Sequence, residues 1–144
     1  MRVRIAVIPE SEEERADLRV HGVTREIELA ASLLQGHKGS LVGSRAGRQY
    51  LLNPSDVYYF ESVDGRTFAY TRDQVYELGM RLYELEAMLD ERFFRSSKSQ
   101  IVNILMIESV RSEMNGRMMA TLAGGDRLIV SRGYVKELKR RLGL

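Results

Sequence analysis

Cysteine and tryptophan are absent from the 144 residues, and proline and histidine occur only twice each. Without cysteine the chain has no disulfide framework, no thiolate metal site and no catalytic thiol. That composition fits a reducing compartment, and a cytoplasmic location is expected. His21 and His37 sit in dissimilar, glycine-adjacent contexts, so they do not suggest a metal site, and no metal or cofactor is expected. Long apolar runs are lacking too. None approaches the roughly 18 residues of a membrane span, and residues 1–5 carry charges where a signal peptide needs an apolar stretch.

Other absences weigh against catalysis. No serine occupies a G-x-S-x-G elbow, and neither histidine has an acid partner nearby in sequence. Glu84 and Glu86 are two apart on an expected helix, so they point to different faces. Residues 36–47 hold four glycines with Lys38, Arg45 and two serines. A phosphate loop is one reading, but the P-loop spacing is missing. A linker with a short extended piece at residues 41–42 is the better expectation. The chain is not expected to be an enzyme.

Charge is present but unevenly placed. The formal net charge is only +2. Residues 1–48 hold eight Lys/Arg and seven Asp/Glu, residues 49–91 three and nine, and residues 92–144 eleven and four. The net values are +1, −6 and +7. A basic C-terminal third is the usual electrostatic footprint of polyanion binding. A solvated helix face balanced by the acidic middle segment gives the same pattern.

The apolar pattern divides the chain at about residue 48. Alternation predicts a strand over residues 2–8 and a second over 18–23. Thr24 is positioned to cap a helix over 25–34, with Ile27, Ala30, Ala31 and Leu34 on one face and Gly36 as the stop. This small α+β extension, residues 1–48, cannot bury enough surface alone. Residues 49–144 read as mainly β with short helices. Strands are expected at 49–52, 57–62 and 67–70, with Asp64-Gly65 turning a hairpin. Thr71 and Gln74 resemble a capping box, predicting a helix striped by Val75, Leu78, Leu82, Leu85 and Leu89. One long strand is expected from Ile101 through Val110, then a turn at Asn115-Gly116. Strands follow at 118–122 and 128–130, then a helix over Arg132–Leu142 capped by Ser131. Lys136, Lys139, Arg140 and Arg141 crowd that helix's C-terminal half, where they suit the helix dipole or a phosphate contact.

The richest stretch is Phe93-Phe94-Arg95-Ser96-Ser97-Lys98-Ser99-Gln100-Ile101-Val102-Asn103. Two cations and three serines fall within five residues, with no acid among them, just before an apolar run. Such groups donate hydrogen bonds to phosphates and base edges. A polar surface turn before a strand is the bland alternative.

Taken with its surroundings, this stretch resembles the LytTR family of bacterial DNA-binding domains. The matching pieces, in order, are Phe60-Glu61-Ser62, Tyr70-Thr71, Leu82 through Glu86 with Leu89, Phe94-Arg95, Ser99, Ile101-Val102-Asn103, Ile107, and Val130-Ser131-Arg132 with Tyr134. The resemblance implies stacked small β-sheets and a transcription regulator that reads major grooves of direct repeats in double-stranded DNA through loops. It implies base reading by Ser97, Lys98 and Arg132, with Arg66, beside Gly65, reaching the flank. It implies phosphate contact or loop support from Arg95, Ser99, Asn103, Lys136, Lys139 and Arg140. Many relatives carry histidine where Ser97 stands, and serine specifies less. Many also carry a receiver domain, for which residues 1–48 are too short. A stand-alone regulator is implied instead. Its expected partners are a second copy and a small membrane-protein antagonist that the extension is a candidate to meet. A protein-interaction module using the basic face without DNA is the alternative.

Overall fold

Pairs of consecutive apolar residues organise the computed structural model, because neighbours along a strand point to opposite faces. The structure describes residues 1–35 and 41–144, leaving out the side chains of Leu29, Ser32, Leu33 and Gln35. It divides into two units, Met1–Gly36 and His37–Leu144.

The second unit holds two antiparallel sheets. Its elements are β1 (Leu41–Arg45), β2 (Arg48–Leu52), β3 (Tyr59–Val63), β4 (Arg66–Tyr70), β5 (Val75–Leu78), α2 (Leu82–Met88), β6 (Phe93–Ser97), β7 (Gln100–Asn103), β8 (Ile107–Ser112), β9 (Met118–Leu122), β10 (Arg127–Val130) and α3 (Arg132–Leu142). The larger sheet runs β2-β1-β5-β4-β3-β7-β6 and the smaller β10-β9-β8. Phe60, Phe93 and Ile101 enter one core with Leu82 and Leu85 of α2. Their neighbours Tyr59, Phe94 and Val102 enter a second core with Met118, Ala120, Leu122, Leu128, Val130 and Leu138. The larger sheet is therefore walled on one face by α2 and on the other by the smaller sheet and α3. Mostly β layers with short helices match the expected fold class.

Several elements differ from expectation. The helix predicted after Thr71 begins late. Thr71 Oγ1 accepts from the Gln74 amide at 3.2 Å, and the Thr71 amide donates to Gln74 O at 2.9 Å. Here those bonds close the β4–β5 hairpin, whose register pairs Tyr70 with Val75 and Thr67 with Leu78. On a strand, residues three apart face opposite ways, so Leu78 is buried while Val75 lies exposed. Helix begins only at Leu82, where Glu84 Oε1 accepts from the Arg81 amide at 3.1 Å.

The long strand predicted from Ile101 is broken after Asn103 by a 3-10 turn over Ile104–Met106. Asn103 makes the break. Its Oδ1 accepts from the Leu105 amide at 3.1 Å, and its Nδ2 donates to Val57 O at 3.0 Å. The chain then leaves the larger sheet and starts the smaller one.

The expected linker is, in its described part, a strand and tight turn. β1 pairs with β2 on one side and β5 on the other. A glycine at 43 is required by close approach, since a Cβ there would meet Leu52 Cδ1 and Tyr76 Cβ at 2.7 Å. The expected helix stop at Gly36, together with His37 and Lys38, lies outside the described residues.

In the first unit the helix forms as expected. α1 spans Arg25–Gln35, and Thr24 Oγ1 accepts from the Ile27 amide at 3.4 Å. The strands expected over residues 2–8 and 18–23 do not form. Val3, Ile5 and Val7 alternate with polar residues but are all strongly exposed. Alternation specifies a strand only where another strand and a core accept it. Among the described residues, no helix is long and apolar enough to cross a membrane.

Asn103 yields a stability prediction. Asn103→Ala removes the donor from the Val57 carbonyl and the cap on Leu105, which costs about 2 kcal/mol. Asn103→Asp cannot donate to Val57 and should also destabilise. Urea unfolding checks both, with the transition midpoint moving to lower denaturant.

Candidate nucleic-acid interface

Two-residue hairpin turns favour positive φ, because that geometry matches the twist of the flanking strands. The β3–β4 turn has it, with Asp64 at 52° and Gly65 at 75°. The β6–β7 turn, Lys98-Ser99, does not; neither residue has positive φ. The mismatch is absorbed by a register shift between Arg95 and Ser97 and by side chains that brace the turn. Arg95 Nε donates to Ser97 O at 2.9 Å, and its Nη2 to Lys98 O at 2.8 Å. Its Nη1 reaches Glu86 Oε2 of α2 at 3.2 Å. The Ser62 amide donates to Ser99 O at 2.8 Å. All three turn carbonyls therefore point into the protein.

Ser97 takes part in the same bracing. Its Oγ accepts from the Ser99 amide at 3.2 Å and lies 3.4 Å from Ser99 Oγ. The hydroxyl expected to read bases is thus occupied within the turn. Lys98 and Ser99 are both exposed at the tip, and Lys98 makes no ion pair among the described residues.

The start of α3 is tied to this turn. The Ser131 amide donates to Ser96 O at 2.9 Å. Arg132, the next residue, is exposed and makes no ion pair among the described residues. Chain geometry keeps the Lys98 and Arg132 Cα atoms within about 15 Å: two strand residues, one backbone hydrogen bond and one peptide step. The rest of α3 is locked down. Leu138 is fully buried, Tyr134 meets Phe94 edge to face at 6.3 Å, and Arg141 Nη1 donates to Glu91 O and Phe93 O at 3.1 and 3.2 Å. Sequence reasoning counted Arg141 among the cations of the helix but missed this anchoring contact.

The remaining expected residues separate by partner. Arg66 is held by Glu77, with Nε–Oε1 at 2.9 Å and Nη2–Oε2 at 2.6 Å, and stacks over Phe68 at 5.3 Å. Their side chains are 61% and 38% exposed, so solvent still reaches the pair. Hydrogen bonding raises the Arg66 pKa and lowers that of Glu77. Arg140 is similarly held by Glu137, which also accepts from Arg141 Nε at 3.0 Å. Lys136 and Lys139 are exposed and unpaired among the described residues. Asn103 is buried at the end of β7, opposite Phe93 and away from the Lys98-Ser99 turn, where its side chain bonds Val57 O and the Leu105 amide. Among the described residues no cluster of His, Asp and Glu is suited to a metal ion.

Arg95→Lys keeps the charge but cannot span two carbonyls and Glu86 with one point-like ammonium. Amide hydrogen exchange at Lys98 and Ser99 should quicken while exchange in β9 stays unchanged. The hydrogen bonds from Arg140 and then Arg141 hold the Glu137 carboxyl down at about 2, below its ordinary 4.5. A lowered acid stabilises the fold above its unfolded pKa and loses that effect as pH falls. The loss therefore runs from about 4.5 toward 2. A carbon-detected NMR titration of Glu137 should show the low midpoint, and Arg140→Ala should raise it.

The chain matches the family model described as the LytTr DNA-binding domain over residues 47–143. It is 38% identical over 105 residues to an uncharacterized HTH-type transcriptional regulator of Staphylococcus aureus (strain NCTC 8325 / PS 47), covering 73% of this chain and 71% of the relative. A counterpart in strain MRSA252 is 37% identical over the same length. A solved LytTr DNA-binding domain from Bacillus cereus superposes with a TM-score of 0.70 at 23% identity, covering 74% of this chain and 99% of that one. The helices α1, α2 and α3 are separated by strands, so the described residues hold no helix-turn-helix, whatever the relatives' names suggest.

Proposed function

This chain belongs to the LytTr DNA-binding domain family, and from that premise we propose that it is a sequence-specific, double-stranded DNA-binding transcription regulator. Supporting the reading is one observation above the rest: two cations unpaired among the described residues, Lys98 on the β6–β7 turn and Arg132 at the start of α3, on elements that the Ser131–Ser96 hydrogen bond joins. Their separation of about 15 Å or less corresponds to about five base pairs or fewer along one strand, which suits one stretch of major groove.

Within that reading the roles divide. Arg132 makes a bidentate contact to a guanine edge. Lys98 reaches a base acceptor or phosphate beside it. Arg95, Ser97, Ser99 and Asn103 hold the first loop in shape. Lys136 and Lys139 attract phosphates on the flank. Arg66 and Arg140 contribute only by exchanging their own glutamate for DNA. The protein acts as a homodimer on paired direct repeats in the cytoplasm. The extension, residues 1–48, offers the α1 face around Ile27, Ala30 and Ala31 to the second copy or to a small membrane-protein antagonist.

Binding to a promoter-derived duplex against scrambled competitor at two salt concentrations tests this. Wild type should prefer the promoter fragment, with affinity falling as salt rises. Arg132→Ala should lose about 1–3 kcal/mol of that preference. No preference for any native promoter fragment overturns the reading in favour of a protein-interaction module using the basic face.

A further inference from the structure

The sequence reading left one exposed cation near Arg132 without a role. β9 pairs with β10 so that Met118 lies opposite Val130. That pairing ends there, and Arg117 and Ser131 are the next residues on either side. The β8–β9 turn just before it, Asn115-Gly116, has φ of 64° and 73°. Gly116 lies directly against Arg132: a Cβ there would come within 3.1 Å of Arg132 Cγ and Cδ. The stem of Arg132 is therefore laid across the hairpin tip, and the tip shares whatever surface Arg132 faces.

The tip's chemistry suits an anion. Arg117 is exposed and makes no ion pair or side-chain hydrogen bond among the described residues. The nearby acid in sequence, Glu113, is already neutralised by Arg111, at 3.2 Å from Nε and 2.8 Å from Nη2. Arg117's backbone is fixed, since its carbonyl accepts from the Glu113 amide at 2.8 Å. A fixed backbone, a free guanidinium and a neutralised acid make a phosphate-contacting position.

We propose that the β8–β9 hairpin tip is a further DNA-contacting element, in which Arg117 takes a backbone phosphate next to the Arg132 contact. The proposal rests on the DNA-binding reading above. It divides labour across one continuous edge: the Lys98 turn, the start of α3, and this tip. Arg117 adds affinity without sequence choice, because phosphates carry no sequence information.

The test uses the full chain with Arg117→Ala and Arg117→Glu, bound to promoter-derived and scrambled duplexes across a salt series. Arg117→Ala should weaken both duplexes alike, by about threefold to tenfold, and reduce the salt slope by about one. Arg117→Glu should weaken both further. The thermal unfolding midpoint should stay at the wild-type value for both variants, since the side chain is exposed. If wild type binds and Arg117→Ala matches it in affinity and slope, this inference falls alone. A changed promoter preference with an unchanged slope also overturns it, because Arg117 then reads a base or reorients Arg132. If wild type binds neither duplex, the DNA-binding reading and this inference fall together.

Discussion

At one end of the larger sheet, β3, β7 and β6 have no solvent-facing side over much of their length, and the rest of the unit depends on that constraint. β3, β6 and β7 each contribute two consecutive apolar residues, one to each core. Full burial of such side chains is worth about 1.5–3 kcal/mol each. A one-residue slip in register would exchange the two sets, so Phe93 and Phe94 could not both find their sites. Register is thereby fixed at β6, the edge strand whose end carries the Lys98 turn. The same two-sided burial brings α3 against β6, where Ser96 O receives the Ser131 amide. Packing far from the polar surface therefore decides where two exposed cations sit.

Arginine is used here mainly to organise backbone and only secondarily to present charge. Arg92 is 1% exposed and bound to Asp90. Arg95 gathers the turn carbonyls, and Arg141 pins α3 to the carbonyls before and within β6. A planar fork with five donors does this better than an ammonium. Arg66 and Arg140 sit on glutamates. The +7 of residues 92–144 therefore overstates the charge free to act on a partner. Among the described residues, six of those eleven cations remain unpaired: Lys98, Arg117, Arg127, Arg132, Lys136 and Lys139. Those residues, rather than the total, set the charge open to a partner.

Much of this was legible from sequence wherever side-chain pattern and tertiary environment agree. The Asp64-Gly65 turn and the span of α3 follow from local rules, although Ser131 stands at the expected N-cap position without a side-chain capping bond. The misread elements share a different cause. The Gln74 amide donates to Thr71 Oγ1 in this hairpin as it would in a capping box, but the Thr71 amide donates to the Gln74 main-chain carbonyl and not to its side chain, and β5 pairs with both β4 and β1. Gly79, within the span predicted as helix, stands between β5 and α2. Asn103 was recognised as part of a motif, but its role in ending β7 needs the Val57 carbonyl, 46 residues away in sequence. Arg117 could not be singled out because the pairing of Met118 with Val130, just beyond it, is set by strand register.

Ser97 shows how a single substitution changes what the loop can say. Its hydroxyl accepts the Ser99 amide and faces Ser99 Oγ, so it serves the turn. Histidine, common at this position in the family the chain resembles, has a longer side chain with two ring nitrogens and is not confined to that bond. With serine here, the turn's carbonyls and the Ser97 hydroxyl are bonded within the protein, and the one cation the turn exposes is the Lys98 ammonium. An ammonium donates without directional choice and accepts nothing, so it separates acceptor-rich from donor-bearing edges and little more. In the function proposed, finer discrimination is assigned to Arg132, whose fork can address two acceptors at once. That places the demand for accuracy on the Arg132 stem, and the stem lies against Gly116, where a Cβ would come within 3.1 Å of its Cγ and Cδ.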